Sequence, residues 1–371
     1  MTRLIENAMN RYIYKTRLAL LTLFTVLLVP LSFGQTTSDN PGAVALTDRV
    51  DALFAQWAKP DSPGCALGVI KDGRMIYKRG YGMANLDYDI PISSSSVFYI
   101  ASTSKQFTAA SIALLAKQGK ISFDDPIRRY MPELSELYNP VTIRHLIHHT
   151  SGIRDYLTLM SIAAIRTENI YTDEDVIELL SRQKALNFKP GDQHLYSNSG
   201  YLLLSMIEKR VTGKSLRQFA DKNIFKPLGM KNTHFHDDRT MIVKNRAISY
   251  AFKKDGSFSV VKTNFDLVGD GGLLTTIDDL FLWDKNFYDY RLGDAGLINQ
   301  TLTPGTLNSG KQLNYAFGLF VGEYNGLRTV SHGGSLFQCV SRNYALSAQD
   351  FQLRSTPQKS NARRCIPVTC N

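Results

Sequence analysis

Residues 97–115 read VFYIASTSKQFTAASIALL, and the fold turns on this stretch. Residues 97–101 form an extended apolar segment. Beyond it Phe107, Ala110, Ser111, Leu114 and Leu115 recur at helical spacing until Gly119 stops the pattern. The spacing predicts a buried central helix with Ser102 and Lys105 where strand meets helix. Three residues apart on a helix, a hydroxyl and an ammonium share one face, one turn from each other. Backbone N–H groups at a helix start can stabilise a developing oxyanion. Taken alone, the pair serves equally as a helix cap, Ser102, followed by a surface cation, Lys105. Two other Ser-x-x-Lys spacings, Ser181 to Lys184 and Ser259 to Lys262, fall at the end of a surface helix and in an alternating strand after Asp255-Gly256. Both are ordinary solvated positions.

Two further motifs occur once each. Tyr196-Ser197-Asn198 follows Pro190-Gly191 and precedes the helical run 201–211, which sets it on a loop at a helix entrance. A phenol there can relay a serine proton beside a cation, and an amide can hold a substrate carbonyl or the lysine. The plain alternative is a core-edge tyrosine and an asparagine cap. His332-Gly333-Gly334 follows the strand-like segment 327–331. Two glycines let a substrate backbone approach a strand edge, and the Ser335 amide can complete an oxyanion hole. A lone histidine at a turn is otherwise structural.

The pattern around these motifs reads as α+β, a central antiparallel sheet flanked by helices with a mostly helical subdomain. An amphipathic helix is expected over 46–58, with Leu46, Val50, Leu53, Phe54 and Trp57 on one face. Strands 65–71 and 74–81 flank the hairpin turn Asp72-Gly73. Helices and loops fill 124–264, with helices at 142–148, 173–182, 201–211 and 216–225. Strands return at 315–323 and 327–331.

Composition narrows the function classes. The chain has 371 residues, 43% apolar and 20% charged, enough for a large core. Its net charge of +10 is concentrated at the ends: +3 lies in residues 1–34 and +4 in residues 336–371, leaving +3 for the body. With no basic stripe, this argues against a nucleic-acid partner. Residues 1–34 carry Arg3, Arg11, Lys15 and Arg17 before the apolar run 18–33, with Ser32 and Gly34 bracketing a cleavage point ahead of Gln35. That is the layout of a secretory signal, or of an uncleaved anchor, and predicts a periplasmic or secreted protein. Cys65, Cys339, Cys365 and Cys370 form no zinc or redox spacing, and their pairing is open. His145, His148 and His149 raise a metal site, but no His-Glu-x-x-His frame or nearby carboxylate cluster accompanies them. No metal or other cofactor is expected, and a monomer is.

Together Ser102-x-x-Lys105, Tyr196-x-Asn198 and His332-x-Gly334 resemble the serine β-lactamase and penicillin-binding protein superfamily. The class C branch, whose relatives include esterases and D-amino-acid peptidases, is the most similar. The stretches LIHHTSG (146–152), PGDQHLYSNSG (190–200) and GDGGLLT (269–275) look like that branch too. The resemblance covers residues 46–335 and implies a β-lactamase/transpeptidase-like catalytic domain over 41–335. It implies an acylated nucleophile at Ser102, a proton-handling pair in Lys105 and Tyr196, and a substrate-orienting amide at Asn198. His332 would stand where other members carry lysine, and the Ser102 and Ser335 amides would form the oxyanion hole beside Gly333 and Gly334. The implied substrates are β-lactams, esters or D-amino-acid peptides, and a neutral His332 would attract a substrate carboxylate less than lysine does. A non-catalytic penicillin binder is the rival of another class.

Relatives continue past His-x-Gly with more strands and a closing helix, whereas residues 337–371 show neither, being polar and basic from Gln352 and broken by Pro357 and Pro367. The expectation is a frameshifted or truncated tail from about Leu336. If the tail is native, the sheet lacks a strand and helix 46–58 its partner.

Overall fold

The computed structural model describes residues 41–165, 169–261, 266–335 and 363–369, with backbone alone for 41–46 and 363–369. The expectations for residues 1–34, for 336–362 and for Cys339 and Cys370 lie outside the described residues. The chain divides after Val50. Of the first unit the structure describes the opening turns of helix α1 (Pro41–Phe54), which runs on across that division. Everything below belongs to the second unit.

Leu53, expected on the apolar face of α1, is exposed, while Phe54 stacks on Tyr81 at 5.0 Å. Polar bonds do the fastening here: Asp51 accepts from the hydroxyls of Tyr77 at 2.6 Å and Tyr81 at 2.7 Å. The hairpin of β1 (Cys65–Lys71) and β2 (Arg74–Tyr81) forms with the expected bounds, and Asp72 and Gly73 take the left-handed backbone of a tight turn.

A third strand completes this sheet in the order Arg363–Thr369, β1, β2, antiparallel throughout, with Cys65 opposite Thr369 and Lys71 opposite Arg363. This corrects the expectation that the tail holds no strand. All of β1 but Lys71 is buried, so an unpaired edge would leave its backbone groups unsatisfied. Pro367 hid the strand from the sequence pattern, yet proline is tolerated on an edge strand, which is what this strand is among the described residues.

Short strands Met83–Asn85 (β3) and Ile90–Pro91 (β4) pair with each other and lead to β5 (Phe98–Tyr99). A second three-stranded antiparallel sheet holds β5, then Leu273–Thr275, then His234–Phe235. Ile100 N–H extends it by donating to Leu273 O at 3.0 Å. The predicted central helix is α2 (Lys105–Lys117), buried from Lys105 through Leu115 and closed by Gly119 at φ +69°.

The predicted helical region contains α3 (Ile143–Ile147), α4 (Tyr156–Ile162), α5 (Asp173–Ser181), α6 (Asn198–Thr212) and α7 (Leu216–Ala220). Capping boxes at Thr142, Thr172 and Ser215 start three of them. The strand expected around Ser259 is Phe258–Val260, while His234–Phe235 and Tyr250–Phe252 are short strands that interrupt the expected run of helices and loops. α6 is buried from Ser199 to Glu208 and packs against α2 and α3.

The strand expected over 315–323 begins later, at Phe320–Tyr324, and pairs with Leu327–Ser331. The delay has a steric cause. Gly318, at φ +71°, passes so close to α2 that a Cβ would lie 2.5 Å from Lys105 C and Gln106 N. The chain bends there to clear the helix start. Among the described residues this hairpin and the β1–β2 sheet are hydrogen-bonded separately, so the expected central sheet is present as antiparallel pieces.

Candidate active site

Ser102 lies in the 3-10 turn Ala101–Ser104, which runs directly into α2. In such a turn residues i and i+3 eclipse one another, so Lys105 comes back over Ser102 and its Nζ donates to Oγ at 3.1 Å. The chain enters the turn through Ala101 at φ +46°, a left-handed conformation that costs a non-glycine residue about 1–2 kcal/mol. Ser104, not Ser102, braces the turn: its Oγ donates to Ala101 O at 2.6 Å and accepts Leu273 N–H at 3.0 Å.

Lys105 is wholly buried, which an ammonium tolerates only with its protons engaged. All three are: Nζ donates to Ser102 Oγ, to Asn198 Oδ1 at 2.8 Å and to the Asp270 carbonyl at 2.5 Å. The Tyr196 and Tyr201 rings lie 4.9 and 5.7 Å from Nζ, within cation–π range. Asn198 opens α6, and its N–H donates to Asp155 Oδ2 at 2.6 Å. Ser199 Oγ donates to Arg154 O at 2.7 Å and accepts Tyr156 N–H at 2.8 Å. These bonds pin the start of α6 and so aim the amide at Lys105.

Tyr196 sits on the loop before α6, its hydroxyl buried and bonded to no protein group among the described residues. Its ring centroid is 6.1 Å from that of His332. His332 is 4% exposed, and its Nδ1 lies 2.5 Å from Gly333 O. A carbonyl can only accept, so Nδ1 carries the proton and Nε2 accepts from the Tyr315 hydroxyl at 3.2 Å. Burial first, and then the Lys105 charge, push the imidazole down to about 3, so it is neutral at working pH.

The His332 carbonyl accepts from Thr103 Oγ1 at 3.3 Å. A Cβ on Gly334 would lie 2.3 Å from Ile100 O, so this edge rests directly on the Ser102 turn. Gly333 and Ser335 are the exposed members of the edge. The structure thus brings Ser102, Lys105, Asn198, Tyr196, His332 and Gly334 into one neighbourhood.

Sequence reasoning missed three participants. Tyr315, fully buried, fixes the His332 tautomer, and nothing in the pattern before Gly318 marks it. Asp270 supplies the third acceptor of Lys105, and burial raises its carboxyl, which accepts from Tyr156 Oη at 3.1 Å. Its place in GDGGLLT was the available signal. His149 packs its ring 4.2 Å from that of Tyr196. The three histidines weighed as metal ligands have separate partners: His145 Nδ1 accepts Thr142 N–H, His148 Nδ1 meets Tyr315 O, and His149 Nδ1 accepts Ser197 N–H. Among the described residues no cluster of His, Cys, Asp or Glu is arranged to hold a metal ion. Cys65 is a buried free thiol, pushed up to about 12 by burial.

Comparison with known proteins agrees with this geometry. A D-aminopeptidase from Gluconobacter oxydans is 28% identical over 291 residues, 77% of this chain and 54% of the relative. Penicillin-binding protein 4* from Bacillus subtilis is 30% identical over 276 residues, 71% of this chain and 60% of the relative. The chain therefore spans little more than half the length of these curated relatives. Among solved structures, the octameric penicillin-binding protein homologue from Pyrococcus abyssi superposes with a TM-score of 0.72 at 25% identity, covering 89% of this chain and 73% of that one. A D-amino acid amidase from Ochrobactrum anthropi SV3 shares the fold, with a TM-score of 0.68 at 21% identity over 87% of this chain and 91% of its own. The family model described as Beta-lactamase matches residues 50–344, running past Leu336. That match spans most of the sequence, and the chain belongs to the Beta-lactamase family.

Proposed function

We propose that this protein is a serine hydrolase that cleaves amide bonds of D-amino-acid derivatives through an acyl-enzyme on Ser102. The observation that carries the reading is the buried Lys105 ammonium, bonded at once to Ser102 Oγ and Asn198 Oδ1. Once the Lys105–Tyr196 pair has given up one proton to solvent, Ser102 Oγ attacks the carbonyl carbon while its own proton passes to the Tyr196 oxygen, with the Lys105 ammonium stabilising the negative charge on both oxygens. The Ser102 and Ser335 amides hold the tetrahedral oxyanion, and Asn198 orients the substrate. Collapse breaks the C–N bond, the amine leaves with the proton returned through Tyr196, and water then releases the acid and regenerates Ser102.

Substrate class follows from His332. Both of its nitrogens are engaged and it carries no charge, so the strand edge, with Gly333 and Gly334, offers no fixed cation to a substrate carboxylate. This favours amides and N-terminal peptide bonds over penicillins, in keeping with the names of the D-aminopeptidase and D-amino acid amidase relatives. The similarity to penicillin-binding protein 4* supports a second reading, a slowly acylated penicillin binder.

Labelling with a fluorophosphonate, abolished in Ser102→Ala, tests the nucleophile. Turnover of D-phenylalanine p-nitroanilide, a short-chain nitrophenyl ester and a chromogenic cephalosporin then ranks amidase, esterase and β-lactamase. Stable penicillin labelling without turnover of any of the three would select the binder. We also assign residues 1–34 to an export signal, giving a periplasmic or secreted protein. An N-terminus at Gln35 in exported material supports this, and Met1 in a cytosolic fraction overturns it. Among the described residues no helix is long and apolar enough to cross a membrane. A monomer by size exclusion is expected, although the Pyrococcus abyssi homologue is octameric.

A further inference from the structure

We propose that His149 is a positioning residue that holds Tyr196 in place for proton transfer, by hanging both chain neighbours of the phenol from one side chain and its own backbone. This rests on the reading of Tyr196 as a proton carrier. Leu195 N–H donates to His149 O at 2.9 Å, and Ser197 N–H donates to His149 Nδ1 at 3.2 Å. Between these two bonds stands Tyr196, its ring 4.2 Å from the imidazole and tilted by 36°. The loop is fastened once more where Gly191 N–H donates to Thr150 O at 2.8 Å. With its own hydroxyl bonded to no protein group among the described residues, Tyr196 depends on its backbone and ring contacts for its aim.

Three features of His149 suit this task. Its backbone is left-handed, φ +56°, which among non-glycine residues histidine, asparagine and aspartate adopt most readily. Its Nδ1 is an acceptor, so its proton resides on Nε2, a buried atom with no protein partner among the described residues. The ring is 1% exposed and is faced by Lys105, His194, His332 and His148. Burial first, then Lys105 and the neighbouring imidazoles, hold it well below the ordinary imidazole range. The anchor therefore stays neutral, and stays an acceptor, while the groups around it exchange protons. His149 touches neither Ser102 nor the oxyanion edge in any bond described, so its effect on the reaction runs through Tyr196.

The test is the rate constant for fluorophosphonate labelling of Ser102 in the full chain, for two complementary variants. His149→Asn keeps an acceptor and the left-handed backbone but loses the ring. His149→Phe keeps a ring and loses the acceptor. We expect Tyr196→Phe to slow labelling roughly 100-fold, within the range for a lost acid–base group. We expect His149→Phe to slow it about 10-fold or more, His149→Asn to stay within about 3-fold of the parent, and His149→Phe/Tyr196→Phe to be no slower than Tyr196→Phe alone. Effects that multiply in the double variant, or His149→Asn as slow as His149→Phe while folded, overturn the positioning role and leave the Tyr196 reading intact. Unchanged labelling in Tyr196→Phe overturns both. A measurement on the parent chain guards against variants that fail to fold: nitrogen NMR should find His149 neutral with its proton on Nε2 from pH 5 to 9. A protonated ring or an Nδ1–H tautomer refutes the proposal.

Discussion

Two ionisable side chains, one at the start of α2 and one near the end of α6, are equally hidden from solvent and quite differently treated. Lys105 has an acceptor for every proton. Glu208 accepts one bond, from Thr212 Oγ1 at 2.9 Å to Oε1, while Oε2 has no protein partner among the described residues. Burial raises its carboxyl to about 7. Complete hydrogen bonding accompanies burial at Lys105, whereas burial disfavours the charged form of the incompletely bonded acid.

Removing the completely bonded member should have the largest effect. Lys105→Ala is expected to lower labelling and turnover about 10²–10⁴-fold and to strand the Asn198 and Asp270 oxygens. A loss under 10-fold would mean that the ammonium is structural. Gly318→Ala presses on the same site through backbone sterics. Its methyl would meet Lys105 C and Gln106 N at 2.5 Å on a left-handed backbone, for a loss of about 3 kcal/mol in denaturant unfolding.

Next comes Glu208→Gln. Because the folded carboxyl is raised above its unfolded value, its contribution is fully present below the unfolded pKa near 4.5 and is lost as pH climbs through about 7. The amide should therefore stabilise the protein at pH 8 by about 1–3 kcal/mol and flatten the melting profile between those limits. Two buried imidazoles act with the opposite sign. His332 is depressed to about 3 and His148 to about 4, both chiefly by burial, so their contribution is present above pH 6.5 and lost as pH falls toward those values. In Glu208→Gln the acid-side loss should stand alone, and a profile identical to the parent's would refute the assignment. The smallest effect belongs to a charge that water already satisfies. Lys78→Ala breaks the exposed pair with Asp278 and should change stability by less than about 1 kcal/mol.

The same contrast explains what the sequence disclosed. Periodicity marked α2 and the β1–β2 hairpin because their residues repeat a local pattern, and glycine stopped each on cue. Ser102, Lys105, Tyr196, Asn198 and His332 were legible as motifs, and the structure bonds Lys105 to Asn198 across 93 residues. Tyr315, Asp270 and His149 act through bonds that no spacing encodes, since each depends on which loop lands beside it. Leu53 matched the helical period yet faces out, and the strand Arg363–Thr369 contradicted its own proline. In both cases the neighbouring element, not the local pattern, decided the outcome. We retain as a proposal that the natural frame diverges near Leu336. Translating the gene's other frames should reveal an alternating strand and an amphipathic helix, and their absence would count against it.

The left-handed alanine ahead of the nucleophile leaves this protein a simple route to greater durability that catalysis ought to veto. Glycine at position 101 would relax the backbone and toughen the molecule toward heat. The same freedom would let Ser102 drift from Lys105, so the sturdier protein should also be the slower catalyst.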